Sequence, residues 1–137
     1  MVGLIWFVQV VHYPLHSLVG PSEFEQYQLA HMSRTSFVVI PPMLIELAGS
    51  AWFAFYPIGS DVGVPPYVHW LAFGVLALIW ISTGLIQVPA HNQLLQEPSS
   101  QMYRHLVNAN WVRTVGWSLR GLIVCWVVLM LMTNTQR

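Results

Sequence analysis

The sequence contains no lysine, and charged residues make up only 7% of its 137 residues. Soluble domains carry about a quarter charged residues, so this composition argues against a water-soluble protein. Five arginines are balanced by five acidic residues, which leaves no basic surface for a nucleic acid partner. Hydrophobic residues make up 55% of the chain. We therefore expect the lipid bilayer to be its main partner and to contact most of its surface.

Cysteine is also almost absent. The single cysteine, Cys125, excludes an intramolecular disulfide and a cysteine metal cluster. Because Cys125 lies in an apolar run, we expect it to be a small core side chain. The N-terminal segment lacks a basic region and a cleavage site, and it carries His12 and His16 where a signal peptide would be apolar. We interpret this segment as a retained first helix.

Long apolar runs are abundant. A transmembrane helix needs about 20 mostly apolar residues to cross roughly 30 Å of hydrocarbon. Windows of this kind lie at Val2–Val19, Thr35–Tyr56, Val68–Ala90 and Trp111–Met132. We find neither an internal repeat nor a second domain. The sequence therefore predicts an all-α integral membrane protein, an antiparallel four-helix bundle in which residues 1–137 form one domain.

The segments between these windows predict how the helices begin, bend and end. Ser22 and Glu25 form a capping-box pattern that would start the second helix before its apolar window. Pro41-Pro42 predicts a kink inside that helix rather than a break. The segment 57–67 is turn-rich, and 91–110 is predicted to be a longer polar connection.

The arginines predict an orientation in the membrane. Arg34, Arg104 and Arg113 lie at one side of the predicted bundle, and only Arg137 lies at the other. The positive-inside rule places the first group in the cytoplasm, so both termini are expected on the non-cytoplasmic side. A bacterial inner membrane is the expected location.

Polar residues inside the windows share one face of each helix, because residues three, four and seven apart lie on the same face. The stripes are Gln9, His12 and His16; His31, Thr35, Pro42, Glu46 and Ser50; Thr83, Gln87 and His91; and Asn110, Arg113, Trp117 and Arg120. Polar groups are costly against lipid, so the stripes are expected to face one another.

Depth along the helices predicts a single graded pocket. At a rise of about 1.5 Å per residue, Glu46 and Arg120 both lie roughly 15 to 17 Å deep and are expected to pair at its floor. His12 lies about halfway. The mouth is expected to hold His16, His91, Asn92, Asn110 and Arg113.

Ionisable residues in a membrane span are functional candidates by default. The candidate catalytic residues are His91, Glu46, Arg113 and Arg120. The candidate substrate-binding residues are His12, His16, Asn92, Trp117 and Asn110. A structural clamp between helices explains Glu46 and Arg120 equally well. Trp117 lies between two arginines of one helix and is the tryptophan expected to stack on a flat ligand.

Histidines also raise the question of a metal. His12 and His16 are four residues apart on one helix, a spacing at which two imidazoles can bind one ion, although Pro14 lies between them. A haem would need two histidines at matching depth on facing helices, such as His16 and His91. The candidate metal ligands are His12, His16, His31 and His91. No cofactor, a metal ion and a haem all stay open.

Two short segments resemble a known family. Residues Gln87-Val88-Pro89-Ala90-His91-Asn92-Gln93-Leu94, followed by Asn110-Trp111-Val112-Arg113-Thr114, are similar to the pattern of the anthrone oxygenase-like family of small four-helix membrane proteins. The resemblance covers the second half of the chain. It implies an enzyme that oxidises a flat phenolic or quinol-like substrate with molecular oxygen. Asn92 and Arg113 are the family positions carried over, and His91 is the preferred general base.

Three functions stay open at this point. The first is a membrane oxidoreductase for a lipophilic, quinol-like or aromatic small molecule. The second is a metal or haem protein that uses the histidines. The third is a non-catalytic accessory subunit, which would assemble as an oligomer or within a larger membrane complex. A transporter is less well supported, since four spans without a repeat offer no alternating-access machinery.

Overall fold

The computed structural model describes residues 1–134, with no side-chain description of the last of them, and over that range the chain contains helices but no strand. Four helices follow one another: α1, Val2–Leu18; α2, Pro21–Phe55; α3, Pro66–Gln96; and α4, Ser100–Asn134. One short 3-10 helix, Ser60–Val62, lies between α2 and α3. The predicted all-α architecture with four helices is confirmed. Arg137, on which the predicted orientation depends, lies outside the described residues.

Three of the four helices are long and apolar enough to cross a membrane. These are α2, α3 and α4, whereas α1 is a shorter apolar helix. Large apolar side chains cover the outer surface; among the most exposed are Phe37, Ile45, Leu85 and Leu122. Soluble monomers rarely expose contiguous apolar surface on this scale. The three long apolar helices therefore fit a membrane location, and the first of the four predicted spans falls short of the other three.

The predicted polar connection at 91–110 is wrong. Helix α3 continues to Gln96 and α4 begins at Ser100, so most of that segment is helical. This segment contains buried residues, Leu94 and Leu106 among them, that pack one face of each helix against the core. Both helices therefore extend beyond the apolar windows. Most of the turn-rich segment 57–67 is a connection, as predicted, but its last two residues, Pro66 and Tyr67, already belong to α3. Gly59 within the connection has a φ of +76°.

The start of α2 also differs from its prediction. The helix begins at Pro21 with Gly20 as the N-cap residue and no side-chain cap, so the Ser22–Glu25 capping box is wrong. Proline suits the first helical position because the N–H it lacks would be unpaired there. Farther along, α2 is continuous through Pro41-Pro42, so the prediction that these prolines do not break the helix is confirmed.

Two π turns interrupt the regular winding of α1 and α3. The first spans Val8–His12 and the second Thr83–Gln87, and each ends two residues before a proline, Pro14 or Pro89. A proline ring clashes with the carbonyl four residues before it and offers no N–H to that carbonyl. A wider turn just before the proline relieves this conflict. Both π turns border the site described below.

Close packing joins α2 to α3, α3 to α4, and α4 to α1. Gly116 on α4 permits the α3–α4 approach, because a Cβ there would lie 2.8 Å from Cγ1 of Ile79. The central core contains Ile5, Met43, Leu76, Ile79 and Trp117. Cys125 lies on the exposed surface, so its predicted place in the core is wrong.

Candidate functional site

Four histidines from three helices meet near one end of the molecule. His12 and His16 lie on α1, His31 on α2 and His91 on α3. The ring centroid of His31 is 4.7 Å from that of His12, 4.7 Å from that of His16 and 5.1 Å from that of His91. The sequence predicted this convergence, and the structure places all four rings in one cluster.

The hydrogen bonds of His16 fix its tautomer. The backbone N–H of His16 bonds to the carbonyl of Tyr13, three residues earlier, as α1 tightens into a 3-10 turn. The carbonyl of His12 accepts a hydrogen bond from Nδ1 of His16 at 3.1 Å. Nδ1 therefore carries the proton, and Nε2 has a free lone pair. The side chain is fully buried, and in the described part of the chain Nε2 has no hydrogen-bond partner.

His12 and His31 form a direct ring-to-ring hydrogen bond. Nε2 of His12 lies 2.8 Å from Nδ1 of His31, so one of these nitrogens donates a proton to the other. The hydroxyl of Thr35, one turn farther along α2, lies 3.1 Å from the same Nδ1. One ligand nitrogen from each of His12, His16 and His31 can be chosen so that all three lie within 4.8 Å of one another.

His91 belongs to the cluster but is held differently. Nε2 of Gln28 donates to Nδ1 of His91 at 3.0 Å and to its carbonyl at 3.1 Å. The carbonyl can only accept, which fixes the orientation of the Gln28 amide. Nδ1 of His91 is then an acceptor, so Nε2 carries the proton and donates it to the Tyr13 hydroxyl, 2.9 Å away. Both ring nitrogens of His91 are thus engaged.

Sequence reasoning missed Tyr13 and Gln28. Gln28 precedes His31 by three residues and so shares its helical face, a signal that was present in the sequence. Tyr13 follows Gln9 by four residues and precedes His16 by three, so it shares their helical face, and this signal was present in the sequence as well.

A cavity of about 390 Å³ lies beside the cluster and receives residues from all four helices. Its walls are mostly apolar, from side chains such as Leu4, Val39 and Val88. Its polar lining includes Tyr13, His31, Trp80, Gln87, His91 and Arg113. The volume is that of a typical small-molecule site.

Several polar atoms at this cavity have no hydrogen-bond partner among residues 1–134. They are both amide atoms of Gln87, Nε1 of Trp80 and Nε of Arg113. Gln87 is 1% exposed, so water has little access to its amide from outside. A buried polar group without a partner costs about 1–3 kcal/mol. A ligand in the cavity with polar atoms next to these residues would remove that cost.

A buried network of side chains lies next to the site. Oε1 of Gln9 accepts hydrogen bonds from Asn110 at 2.9 Å and from Thr114 at 3.2 Å, which joins α1 to α4. Nη1 of Arg113 donates to Oδ1 of Asn110 at 3.4 Å. The predicted stripes on α1 and α4 do face each other here. Asn110 holds Arg113 in place and is not itself part of the cavity lining.

Glu46 and Arg120 form the predicted ion pair, with Nη2 of Arg120 2.5 Å from Oε2 of Glu46. Both residues line a second cavity of about 510 Å³, together with His69. None of the described residues lines both cavities. The predicted single pocket, with this pair at its floor and the imidazoles on its walls, is therefore wrong.

Two other predicted substrate contacts lie elsewhere. Asn92 is exposed on the outer surface and does not border the cavity. Trp117 is 1% exposed and packs in the central core. The tryptophan that lines the cavity is Trp80, which the sequence pattern did not distinguish from packing residues.

The cluster fits a small ion better than a haem. The rings of His16 and His91 lie 6.2 Å apart, but the rings of both Tyr13 and His31 pack against each of them. This close packing leaves no slot for a flat macrocycle between the two predicted axial ligands. His91, moreover, has no free lone pair to offer iron.

No family model matches the chain, and no curated protein or solved structure matches it either. Its function must therefore be inferred from the geometry and chemistry of this site.

Proposed function

We propose that the chain is an integral membrane protein in which α1–α4 form an antiparallel bundle. Three long apolar helices and an outer surface of exposed apolar side chains support this placement. The connection between α3 and α4 is only three residues long, which favours antiparallel neighbours. Arg113 is buried, so the predicted cytoplasmic side rests on Arg34 and Arg104.

Within that bundle, we propose a binding site for a lipophilic quinol-like or phenolic molecule in the cavity beside the histidines. The observation that carries this proposal is the set of unpartnered polar atoms of three residues, Gln87, Trp80 and Arg113, that line a mostly apolar cavity. A hydrocarbon would fit the walls but would leave those atoms unpaired. A molecule with an apolar body and an oxygen-bearing ring satisfies both requirements.

The polar side chains that line the cavity are rich in hydrogen-bond donors. The hydroxyl oxygen of Tyr13 accepts a hydrogen bond from Nε2 of His91, so its own hydrogen is left to donate to a ligand. Trp80 can only donate, Arg113 can only donate, and Gln87 offers both a donor and an acceptor. Such a set stabilises negative charge on an oxygen, as in a phenolate or a quinone being reduced or formed.

The proposed reaction is oxidation of the bound quinol by molecular oxygen. The quinol loses two electrons and two protons to become the quinone, and oxygen takes up both to become hydrogen peroxide. His31 lines the cavity and is placed to accept a proton from the substrate, while Tyr13 and Arg113 hold the oxygen that develops charge. The resemblance to anthrone oxygenase-like proteins supports the choice of oxygen as the acceptor.

A binding assay tests the site before the reaction. The chain in lipid nanodiscs should bind a decyl-substituted benzoquinone with a saturable quenching of tryptophan fluorescence. Gln87→Leu removes both amide atoms that face the ligand and should weaken binding about tenfold, equivalent to about 1.4 kcal/mol. Oxygen consumption with the corresponding quinol should fall in Arg113→Met.

Gln93→Leu is the matched control, because Gln93 lies on the same helix but is exposed. It should bind the quinone like the parent. If folded Gln87→Leu binds as tightly as this control, the cavity is not the quinone site. If binding is normal but no quinol is oxidised, the protein is a carrier rather than an oxidoreductase.

A further inference from the structure

The cluster of His12, His16 and His31 has the composition of a metal site. Three imidazoles lie together, and their ligand nitrogens are within 4.8 Å of one another. His16 and His31 are buried, and His12 is half-buried. Imidazole without carboxylate or thiolate suits late first-row transition metals rather than Mg²⁺ or Ca²⁺, which prefer oxygen.

His16 supplies an independent observation that points to a ligand. Its Nε2 is buried, carries a free lone pair and has no partner among the residues described. Its Nδ1–H is anchored on the carbonyl of His12. Metal-binding histidines typically hold their second nitrogen in this way, on a carbonyl or a carboxylate, which orients the ring toward the ion. A bare, buried and oriented nitrogen is what a metal ion requires.

We propose that His12, His16 and His31 together bind one Zn²⁺ or Cu²⁺ ion, with a fourth position open to a small ligand. Three protein ligands and one open position are typical of catalytic rather than structural metal sites. His31 also lines the cavity, so the ion would lie at the cavity's edge. The proposal goes beyond the quinol site: both nitrogens of His31 are occupied in the ion-loaded chain, so His31 can serve as a base for the substrate only in the metal-free chain.

The nitrogens lie within 4.8 Å of one another, so movements of at most about 1.5 Å convert the observed cluster into such a site. Metal–nitrogen bonds of about 2.05 Å in a tetrahedral site place the nitrogens about 3.3 Å apart. Nε2 of His12 and Nδ1 of His31 are 2.8 Å apart and must separate by roughly half an ångström. The proton between them moves to another nitrogen of its own ring, so both imidazoles stay neutral and no proton is lost.

His91 is left out of the ligand set. Gln28 and Tyr13 occupy both of its ring nitrogens, so it would have to break two hydrogen bonds to coordinate the ion. We assign it to positioning Tyr13 instead. The four histidines of the cluster therefore have two different roles.

The test is metal binding by the full chain, purified in detergent with an affinity tag that contains no histidine. After removal of metals with a chelator, Zn²⁺ is titrated in competition with a chromophoric chelator. One ion should bind per chain, and His16→Ala should weaken binding at least about a hundredfold. With Cu²⁺, electron paramagnetic resonance should show hyperfine coupling to three nitrogens.

Two variants serve as controls. His105→Ala removes an exposed histidine outside the cluster and should bind one ion as the parent does. His91→Gln should also keep the ion, which separates the three-histidine set from a four-histidine set. If His16→Ala fails to fold, the number of nitrogens coupled to Cu²⁺ in the electron paramagnetic resonance spectrum of the parent still gives the number of histidine ligands.

Two outcomes overturn the proposal. One is a parent chain that binds neither ion with a Kd below about 100 µM. The other is a loss of binding in His91→Gln as large as that in His16→Ala. The quinone assay is separate, because Gln87→Leu should lose the quinone and keep the ion. Failure of one proposal can thus be distinguished from failure of the other.

Discussion

Replacing Glu46 by alanine tests whether its ion pair with Arg120 clamps α2 to α4. The side chain of Arg120 is 8% exposed, whereas that of Glu46 is 35% exposed. Nη2 of Arg120 reaches both the carboxylate and, at 3.5 Å, the carbonyl of Glu46, and Nε has no partner within residues 1–134. The substitution therefore leaves the guanidinium buried, with one weak hydrogen bond to a carbonyl.

The expected loss is large. Removal of one partner from a buried ion pair costs about 3–5 kcal/mol, and an unpaired arginine at the centre of a transmembrane helix costs about 2.5–3.5 kcal/mol. Because Glu46 is partly exposed, we expect the lower end of these ranges, about 3 kcal/mol, for Glu46→Ala. The double variant Glu46→Leu/Arg120→Met has no charge to bury and should lie within about 1 kcal/mol of the parent.

The assay is reversible unfolding in mixed micelles with increasing dodecyl sulfate, analysed as a double-mutant cycle. Glu25→Ala is the control, since Glu25 is exposed on the same helix and should change stability by less than about 0.5 kcal/mol. A Glu46→Ala variant as stable as this control would refute the clamp. A double variant that loses the sum of both single losses would refute it too. Normal quinone binding in Glu46→Ala would place the pair outside the substrate site.

Three further perturbations follow from particular contacts. Gly59→Ala should destabilise the chain by about 1–2 kcal/mol, measured in the same unfolding assay, because Gly59 has a φ of +76° and a Cβ there would lie 3.0 Å from Leu131. Asn110→Leu should cost about 1–3 kcal/mol in that assay, since Gln9 loses its hydrogen bond from Asn110. Cys125 in the proposed lipid-facing surface should react with a membrane-permeant maleimide and resist a charged one; equal labelling by both would contradict that placement.

The helices were largely predictable because apolar length is a property of the sequence itself. Their ends were less so, since polar residues such as Gln93 and Arg104 occupy helical positions beyond the apolar windows. A polar segment at a membrane surface can be loop or helix with equal ease. Buried residues, Leu94 and Leu106 among them, stabilise the helical conformation here. Their burial depends on contacts with other helices, which the apolar windows of the sequence do not reveal.

The meeting of the four histidines followed from helical periodicity, but the single pocket did not. His31 and Glu46 are 15 residues apart on one continuous helix, or roughly 22 Å at about 1.5 Å per residue. The cavity of about 390 Å³ is lined along this helix from His31 to Met43, and Glu46 lines the second cavity instead. A shared face thus predicted which side chains turn inward, and the distance along that face should have divided them into two sites.

The details of the histidine site depend on prolines that a regular helix cannot absorb. Pro14 and Pro89 each follow a π turn, and these turns end at His12 and Gln87, two residues central to the site. The N–H of Tyr13 bonds to the carbonyl of Val8, five residues earlier, which rotates all later side chains relative to a regular helix. The directions of Tyr13 and His16 relative to Gln9 therefore differ from those of a regular helix. Prolines near polar residues in a membrane helix therefore mark places where side-chain directions must be taken from the structure rather than from periodicity.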